Sequence, residues 1–330
     1  MRSAGTTPGL RAVTIPSWNL GPGARDVAAH AVTLDEVSPG THRIRHDGGV
    51  AMVARDDAGA VATLRSTGLA LMPTVSNLLG GRRSRDVVSA TLHDPDRTRR
   101  HVLAIRDLVV GDDYAGIDID YQGLHRGDRQ AFSRFVARLA DALHEHGRRL
   151  SVTVYAKADE HPDEPPTLVD DYGALGAAAD EVRLTSWDYH DPTTVAGPPA
   201  PSGWVRDVLA HAAEHVPAGK LLVGVTGSGY DWTREGAVPV SHAEAIGLAV
   251  RHASGRVEVD PLAETPWFRY LDPAGTAHEV WFEDARSVAV KLRGAAAIGV
   301  GGVLLRLAAT PDEGVWAELA EPGSGVSRRG

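Results

Sequence analysis

The stretch Gly116-Ile117-Asp118-Ile119-Asp120-Tyr121-Gln122 alternates apolar residues with acidic or amide ones. In a β-strand this period of two turns Asp118, Asp120 and Gln122 to one face, and Ile117, Ile119 and Tyr121 to the other. Two carboxylates about 6–7 Å apart along a strand, followed by an amide, do not suit an ordinary apolar core. The row reads as a line of reactive groups whose last member has been exchanged.

On both sides of this row, short apolar runs alternate with longer amphipathic segments, the pattern of parallel β/α units. Strands are expected at Ala12–Pro16, Val32–Val37, Leu69–Val75, Gly116–Asp120, Arg149–Tyr155, Glu181–Trp187, Lys220–Val225 and Gly302–Arg306. Eight such strands predict an α/β fold, a closed (β/α)8 barrel of the TIM type. Between them, Arg129–His146 places Phe132, Phe135, Val136, Leu139 and Leu143 at helical spacing, with Gly147 as its stop, and Glu283–Ala296 repeats the scheme before the last strand.

The interval from Tyr230 to Glu283 is too long for one βα loop. It holds a helix-like Ser241–Ala253 and strand-like Trp267–Leu271 and Glu279–Phe282, the latter two joined by the turn-forming Asp272-Pro273-Ala274-Gly275. These features predict a small α/β insertion after strand seven, over residues 230–283, forming one wall of a cleft. The chain is read as a single domain over residues 10–321, with loose ends at 1–9 and 322–330.

With 330 residues and 43% hydrophobic content the chain can bury a large core, and its formal net charge of −9 argues against nucleic acid as a partner. Arg82 and Arg83, a short basic run, are read as a solvated loop. The absence of cysteine excludes disulfides and thiolate metal sites. The segment Met1 to Leu10 lacks the apolar run of a secretory signal, and no window approaches the ~18 apolar residues of a membrane span. No membrane association is expected, and the location is cytoplasmic, or secreted if a leader has been trimmed. His211-Ala212-Ala213-Glu214-His215 fits a zinc-peptidase pattern, but it falls on an outer helix with no third ligand in view beyond it, so no metal is expected. The glycines around Thr226–Gly229 lack the spacing of a phosphate loop, and no cofactor is expected.

Seven short motifs in order now carry a resemblance: Trp18-Asn19, Glu36-Val37-Ser38-Pro39, Tyr114 to Gln122, Trp187-Asp188-Tyr189-His190, Gly229-Tyr230-Asp231-Trp232, Pro266-Trp267-Phe268 and Val280-Trp281-Phe282-Glu283-Asp284-Ala285. Through them the chain resembles glycoside hydrolase family 18, the chitinase and N-acetylglucosaminidase family, and within it the bacterial branch of spore-cortex and peptidoglycan hydrolases. The resemblance implies a TIM barrel with its site at the C-terminal ends of the strands. It also implies a strand-four signature Asp-Gly-x-Asp-x-Asp-x-Glu, in which the Glu is the general acid and the preceding Asp orients the substrate's own acetamido nucleophile.

Aligned on that signature, the chain has Ala115 for the first Asp, keeps Asp118 and Asp120, and has Gln122 for the acid. An amide cannot deliver a proton to a leaving oxygen. Trp187 stands where the family has a Tyr on strand six, Ser228 replaces a Tyr on strand seven, and Arg306 replaces the Trp that floors the sugar pocket. Asp118, Asp120 and Gln122 are the catalytic candidates. Trp18, Asn77, Tyr155, Trp187, Asp188, Tyr189, Ser228, Tyr230, Trp232 and Arg306 are the expected ligand-binding set, with Trp267 a further stacking candidate.

Two readings of the acids stay open: a pair that titrates jointly, or a remnant satisfied by hydrogen bonds from neighbouring strands. Arg306 either meets a polar ligand or neutralises Asp118 and Asp120. Three functions follow: a repurposed enzyme acting on a small polar or glycosylated metabolite, a hydrolase of N-acetylglucosamine-containing glycosides, or a non-catalytic carbohydrate-binding protein. The partner in each case is a small molecule or carbohydrate, and no oligomeric state is indicated.

Overall fold

Along each strand of the computed structural model, which describes residues 9–53, 58–79, 81–159 and 169–320, alternation decides what the barrel wall separates. Ile117 and Ile119 face outward into one large core shared with helix residues such as Phe132, Phe135 and Val205. Between them, Asp118 faces inward. On the opposite side of the interior, Ala12, Leu222 and Leu304 form a small apolar cluster. Below the cavity the barrel lumen is therefore apolar at strands one, seven and eight and polar along strands two to six, while Thr14 and Arg306 turn polar groups into the cavity above.

The ring is made of Leu10–Ile15, Glu36–Pro39, a third strand in two pieces (Ala70–Leu71 and Thr74–Ser76), Gly116–Asp120, Arg149–Tyr155, Glu181–Thr185, Leu221–Thr226 and Gly302–Arg306. All neighbours pair in parallel. The break in strand three falls at Met72-Pro73, where proline has no N–H to give. Closure survives it: Met72 N–H donates to the Val37 carbonyl at 2.9 Å, and the Pro73 carbonyl accepts from Asp118 N–H at 3.0 Å.

The helices between strands begin and end where local chemistry requires. Asp284 caps Ala285–Ile298 by accepting from Ser287 N–H at 2.8 Å, and Gly299, at φ +79°, ends it. Gly147, at φ +66°, follows Arg129–His144 in the same way.

The insertion after strand seven is an antiparallel five-stranded sheet, Gly236–Ser241, Ser228–Thr233, Ala277–Phe282, Pro266–Leu271 and Glu258–Val259 in spatial order, with the helix His242–His252 against it. Phe268, Val280, Phe282 and Ala245 form its own core. Its hairpin turn is closed by Asp272 Oδ1, which accepts from Ala274 and Thr276 N–H at 2.9 and 2.7 Å. The first strand of this sheet starts at Ser228, two residues before the expected boundary.

Two expectations need correction. The second strand is Glu36–Pro39, not Val32–Val37; Ala31–Thr33 forms a single 3₁₀ turn with Val32 95% exposed, and pairing begins only at Ala12 with Glu36. A hairpin, His42–Ile44 with Val50–Met52, also adds to the strand-three edge, which the hydropathy pattern did not foretell. The ends read as loose lie outside the described residues, Gly9 excepted.

Candidate active site

At the C-terminal ends of the strands a cavity of about 430 Å³ opens, and Asp118, Asp120 and Gln122 all line it. Trp18, Tyr155, Trp187 and Trp204 give it aromatic walls. Each acid has a different setting. Asp118 is 1% exposed, and its two oxygens accept from the hydroxyls of Thr74 (3.0 Å), Ser151 (2.9 Å) and Thr153 (3.0 and 3.1 Å), with Arg183 Nη1 at 3.7 Å. Burial pushes its carboxyl above the usual range; the Arg183 charge opposes this, and the Asp120 charge adds to it.

Asp120 lies nearer the mouth. One oxygen accepts from the Gln122 side-chain amide at 2.6 Å, and the other faces Arg83 Nη1 at 3.3 Å. Gln122 is itself clamped through its backbone: Asn77 donates to its carbonyl at 2.8 Å and accepts its N–H at 3.1 Å. Asn77 itself is fully buried.

On the other side of the cavity, Asp188 sits at φ +58°, a left-handed conformation that costs a non-glycine residue energy and needs fixing by its surroundings. Two groups fix it: Tyr230 donates its phenol to Oδ1 at 2.7 Å, and Arg306 Nη1 reaches Oδ2 at 3.2 Å. Burial and the Asp188 charge hold the Tyr230 phenol well above its ordinary range. The Arg306 guanidinium lies 6.0 Å from the Trp18 ring and 5.6 Å from that of Trp187, so it fills the gap between two aromatic faces. Trp187 in turn packs against Gly224, where a Cβ would come within 2.5 Å of its ring. Arg306 thus neutralises Asp188, and neither Asp118 nor Asp120 is its ion-pair partner.

Of the residues singled out from sequence, Trp18, Tyr155, Trp187, Asp188 and Arg306 meet the strand-four row at the cavity. Six others do not line it. Asn77 lies behind Gln122, and Tyr230 acts only through Asp188. Tyr189 is 47% exposed and packs on Trp204 at 5.0 Å. Ser228 bonds to the Thr226 hydroxyl at 3.0 Å, and Trp232 is buried against Tyr230 at 5.4 Å. Trp267 stacks on Trp281 at 5.2 Å inside the insertion. No insertion residue lines the cavity among the described residues, so the expected wall is a support for Asp188 instead.

Arg83 is the opposite case. Read as part of a solvated loop, it lies in a two-residue strand, Arg82–Arg83, paired with Leu78–Leu79, and its guanidinium faces Asp120. Arg183, Thr153 and Trp204 were also missed. Arg183 carried a signal, because Glu181, Arg183 and Thr185 alternate with apolar residues as Asp118, Asp120 and Gln122 do. His211, Glu214 and His215 bring their ligand atoms within 4.8 Å of one another on the outer helix Ser202–His215, away from this cavity. No helix among the described residues is long and apolar enough to cross a membrane.

Comparison with known proteins agrees with this geometry. The family model described as Glycosyl hydrolases family 18 matches residues 72–305. The putative sporulation-specific glycosylase YdhD of Bacillus subtilis (strain 168) is 33% identical over 244 residues, 72% of this chain and 57% of that protein. The cortical fragment-lytic enzyme of the same organism is 32% identical over 232 residues, 67% of this chain and 52% of that protein. The chain therefore spans little more than half the length of these curated relatives. Among solved structures, a chitinase from Chromobacterium violaceum ATCC 12472 superposes with a TM-score of 0.87 at 30% identity, covering 95% of this chain and 98% of that one. The spore cortex-lytic enzyme SleL of Bacillus megaterium QM B1551 shares the fold, with a TM-score of 0.88 at 23% identity over 99% of this chain and 76% of that one. By the family-model match and the identity shared with YdhD, the chain belongs to glycosyl hydrolase family 18.

Proposed function

We propose that the cavity binds a small polar or glycosylated molecule and acts on it by acid–base chemistry at Asp120 and Asp118, without the general acid of the family signature. The observation that carries this reading is the pairing of an intact acid row with a changed acid position. Both carboxyls reach one aromatic-walled cavity, while the residue placed to donate a proton is the amide of Gln122. Arg306, wedged between Trp18 and Trp187, further alters the surface on which a sugar ring would lie. It offers guanidinium donors where the family offers an indole.

A hydrolase of N-acetylglucosamine-containing glycosides is a second reading, favoured by the names of the relatives, a cortical fragment-lytic enzyme and a chitinase. A non-catalytic carbohydrate-binding protein is a third, favoured by the full engagement of both Asp120 oxygens. Hydrolysis of a chromogenic N-acetylglucosaminide by Gln122→Glu separates the first two. The proposal expects essentially no gain, and a rise of orders of magnitude would establish the hydrolase instead. Asp120→Asn separates the third: abolished turnover of a metabolite supports the proposal, and saturable oligosaccharide binding without turnover in either form supports the binding protein.

A further inference from the structure

Below the cavity, towards the N-terminal ends of the strands, the lumen holds a second set of charges that the site chemistry does not use. Glu36, Glu181 and Arg183 are fully buried, and Arg149, one-third exposed, closes the set from below. Arg149 pairs with Glu36 and with Glu181 at 2.6 Å each. Arg183 pairs with Glu36, with Glu181 at 3.1 Å, and with Asp118 at 3.7 Å, and it donates to Ser38 Oγ at 2.7 Å. Contacts thus run without a break from the far mouth of the barrel to the carboxyl that lines the cavity.

The set contains three carboxyls and two guanidiniums, and a guanidinium does not release its proton. Full ionisation would leave one unbalanced negative charge on groups that are buried in the lumen, which is costly. Strands one, seven and eight offer no compensation, since they present Ala12, Leu222 and Leu304 at this level. Asp120, the remaining acid on strand four, is already matched by Arg83. Strands three and five face Asp118 with the neutral hydroxyls of Thr74, Ser151 and Thr153.

We infer that Asp118 and Glu36 hold one proton in common, with the Glu181 charge between them, so that the protonation of the cavity's inner carboxyl is set by charges at the opposite end of the barrel. The proton resides mainly on Asp118. Every oxygen of Glu36 and Glu181 faces a guanidinium, which can only donate, whereas the hydroxyls around Asp118 can turn to accept. The same crowding pushes Glu36 up to about 7, through burial first and the Glu181 charge second. Glu36, Glu181 and Arg149 are positioning residues in this scheme and touch no ligand. The inference holds whichever molecule the cavity takes.

Infrared difference spectra in the protonated-carboxyl region at neutral pH test it, wild type minus each of Asp118→Asn, Glu36→Gln and Glu181→Gln. A shared proton predicts that each replacement, by restoring balance, removes the same single band, while carboxyls outside the set cancel in the difference. Loss in Asp118→Asn alone would mean a locally held proton, and loss in none would mean full ionisation; either overturns the inference. Two folded variants of the three suffice when Asp118→Asn is one of them. Should the variants not fold, carbon-13 carboxyl shifts of Asp118 and Glu36 in the wild type decide the matter. Matching two-step titration curves support sharing, and independent single steps refute it.

Discussion

The side-chain amide of Gln122 donates to Asp120 Oδ1 across 2.6 Å, so the residue in the acid's place holds the preceding carboxylate instead of protonating a leaving group. That contact ties the altered chemistry to the altered sequence. Gln122 is fixed from behind as well, since Asn77 satisfies both its backbone N–H and its carbonyl.

Asn77→Ala should therefore loosen the end of strand four. The loss is expected to cost about 1–3 kcal/mol, the penalty of leaving a buried polar group unpaired. Urea denaturation measures it. A change below the error of that measurement would mean that the clamp contributes nothing.

Arg83→Met frees one oxygen of Asp120 while touching little else. The pair is partly exposed, so stability should change by less than about 1 kcal/mol. Ligand affinity or turnover should change far more, because the carboxylate at the mouth loses its only guanidinium partner among the described residues. Equal, small effects on both would remove Arg83 from the site.

Arg183→Met has the reverse profile. Glu36, Glu181 and Asp118 would share a buried interior with Arg149 alone, and breaking a buried ion pair on one side costs about 3–5 kcal/mol. Acid should rescue part of the loss, since protonating the orphaned carboxyls removes their charge. The thermal midpoint, followed from neutral to mildly acidic pH, should fall less in the variant than in the wild type.

Asp170 gives a pH dependence with a definite sign. It is buried, accepts from Tyr155 N–H at 2.9 Å, and burial lifts its carboxyl from 3.8 to about 7. Between those values the folded chain keeps a proton that the unfolded chain has released, so this group's contribution to stability falls as pH rises from 3.8 towards 7 and then levels off. His101, lowered by burial to about 4, acts oppositely and lowers stability as pH drops from 6.5 towards 4. Asp170→Asn should thus gain on the wild type as pH rises to neutrality, with little difference near pH 3.8. A constant offset across that range, measured by denaturation at a series of pH values, would contradict the assignment.

How much of this was legible beforehand depended on periodicity. Asp118, Asp120 and Gln122 declared themselves because a period of two is local and needs no partner to be read. Glu181, Arg183 and Thr185 had the same period, but their meaning depends on Glu36 and Arg149, which only barrel closure brings to them. Arg83 was opaque for another reason: a guanidinium between Gly81 and Ser84 looks like any loop charge until the chain folds it over strand four. Val32 misled in the opposite direction, since a β-branched residue favours strands until tertiary pairing decides where a strand begins.

Trp18 offers the sharpest separation of binding from folding. It lies in the turn Ser17–Asn19 after strand one, is 63% exposed, and is held in place by Asn19, which donates to the Leu307 carbonyl at 2.8 Å. An exposed indole contributes little to the core, so Trp18→Ala should alter stability by no more than about 0.5 kcal/mol. Aromatic contacts are worth about 0.5–1.5 kcal/mol beyond simple burial, which corresponds to a roughly 2- to 12-fold weaker affinity for an oligosaccharide or other stacking ligand. Trp187→Ala is the contrasting case, because it also uncovers Gly224 and should lower the thermal midpoint. Titration calorimetry beside thermal melts reads both variants. Unchanged affinity in Trp18→Ala would place the ligand deeper in the barrel, against Asp118 and Thr153, and would exclude the aromatic rim from recognition.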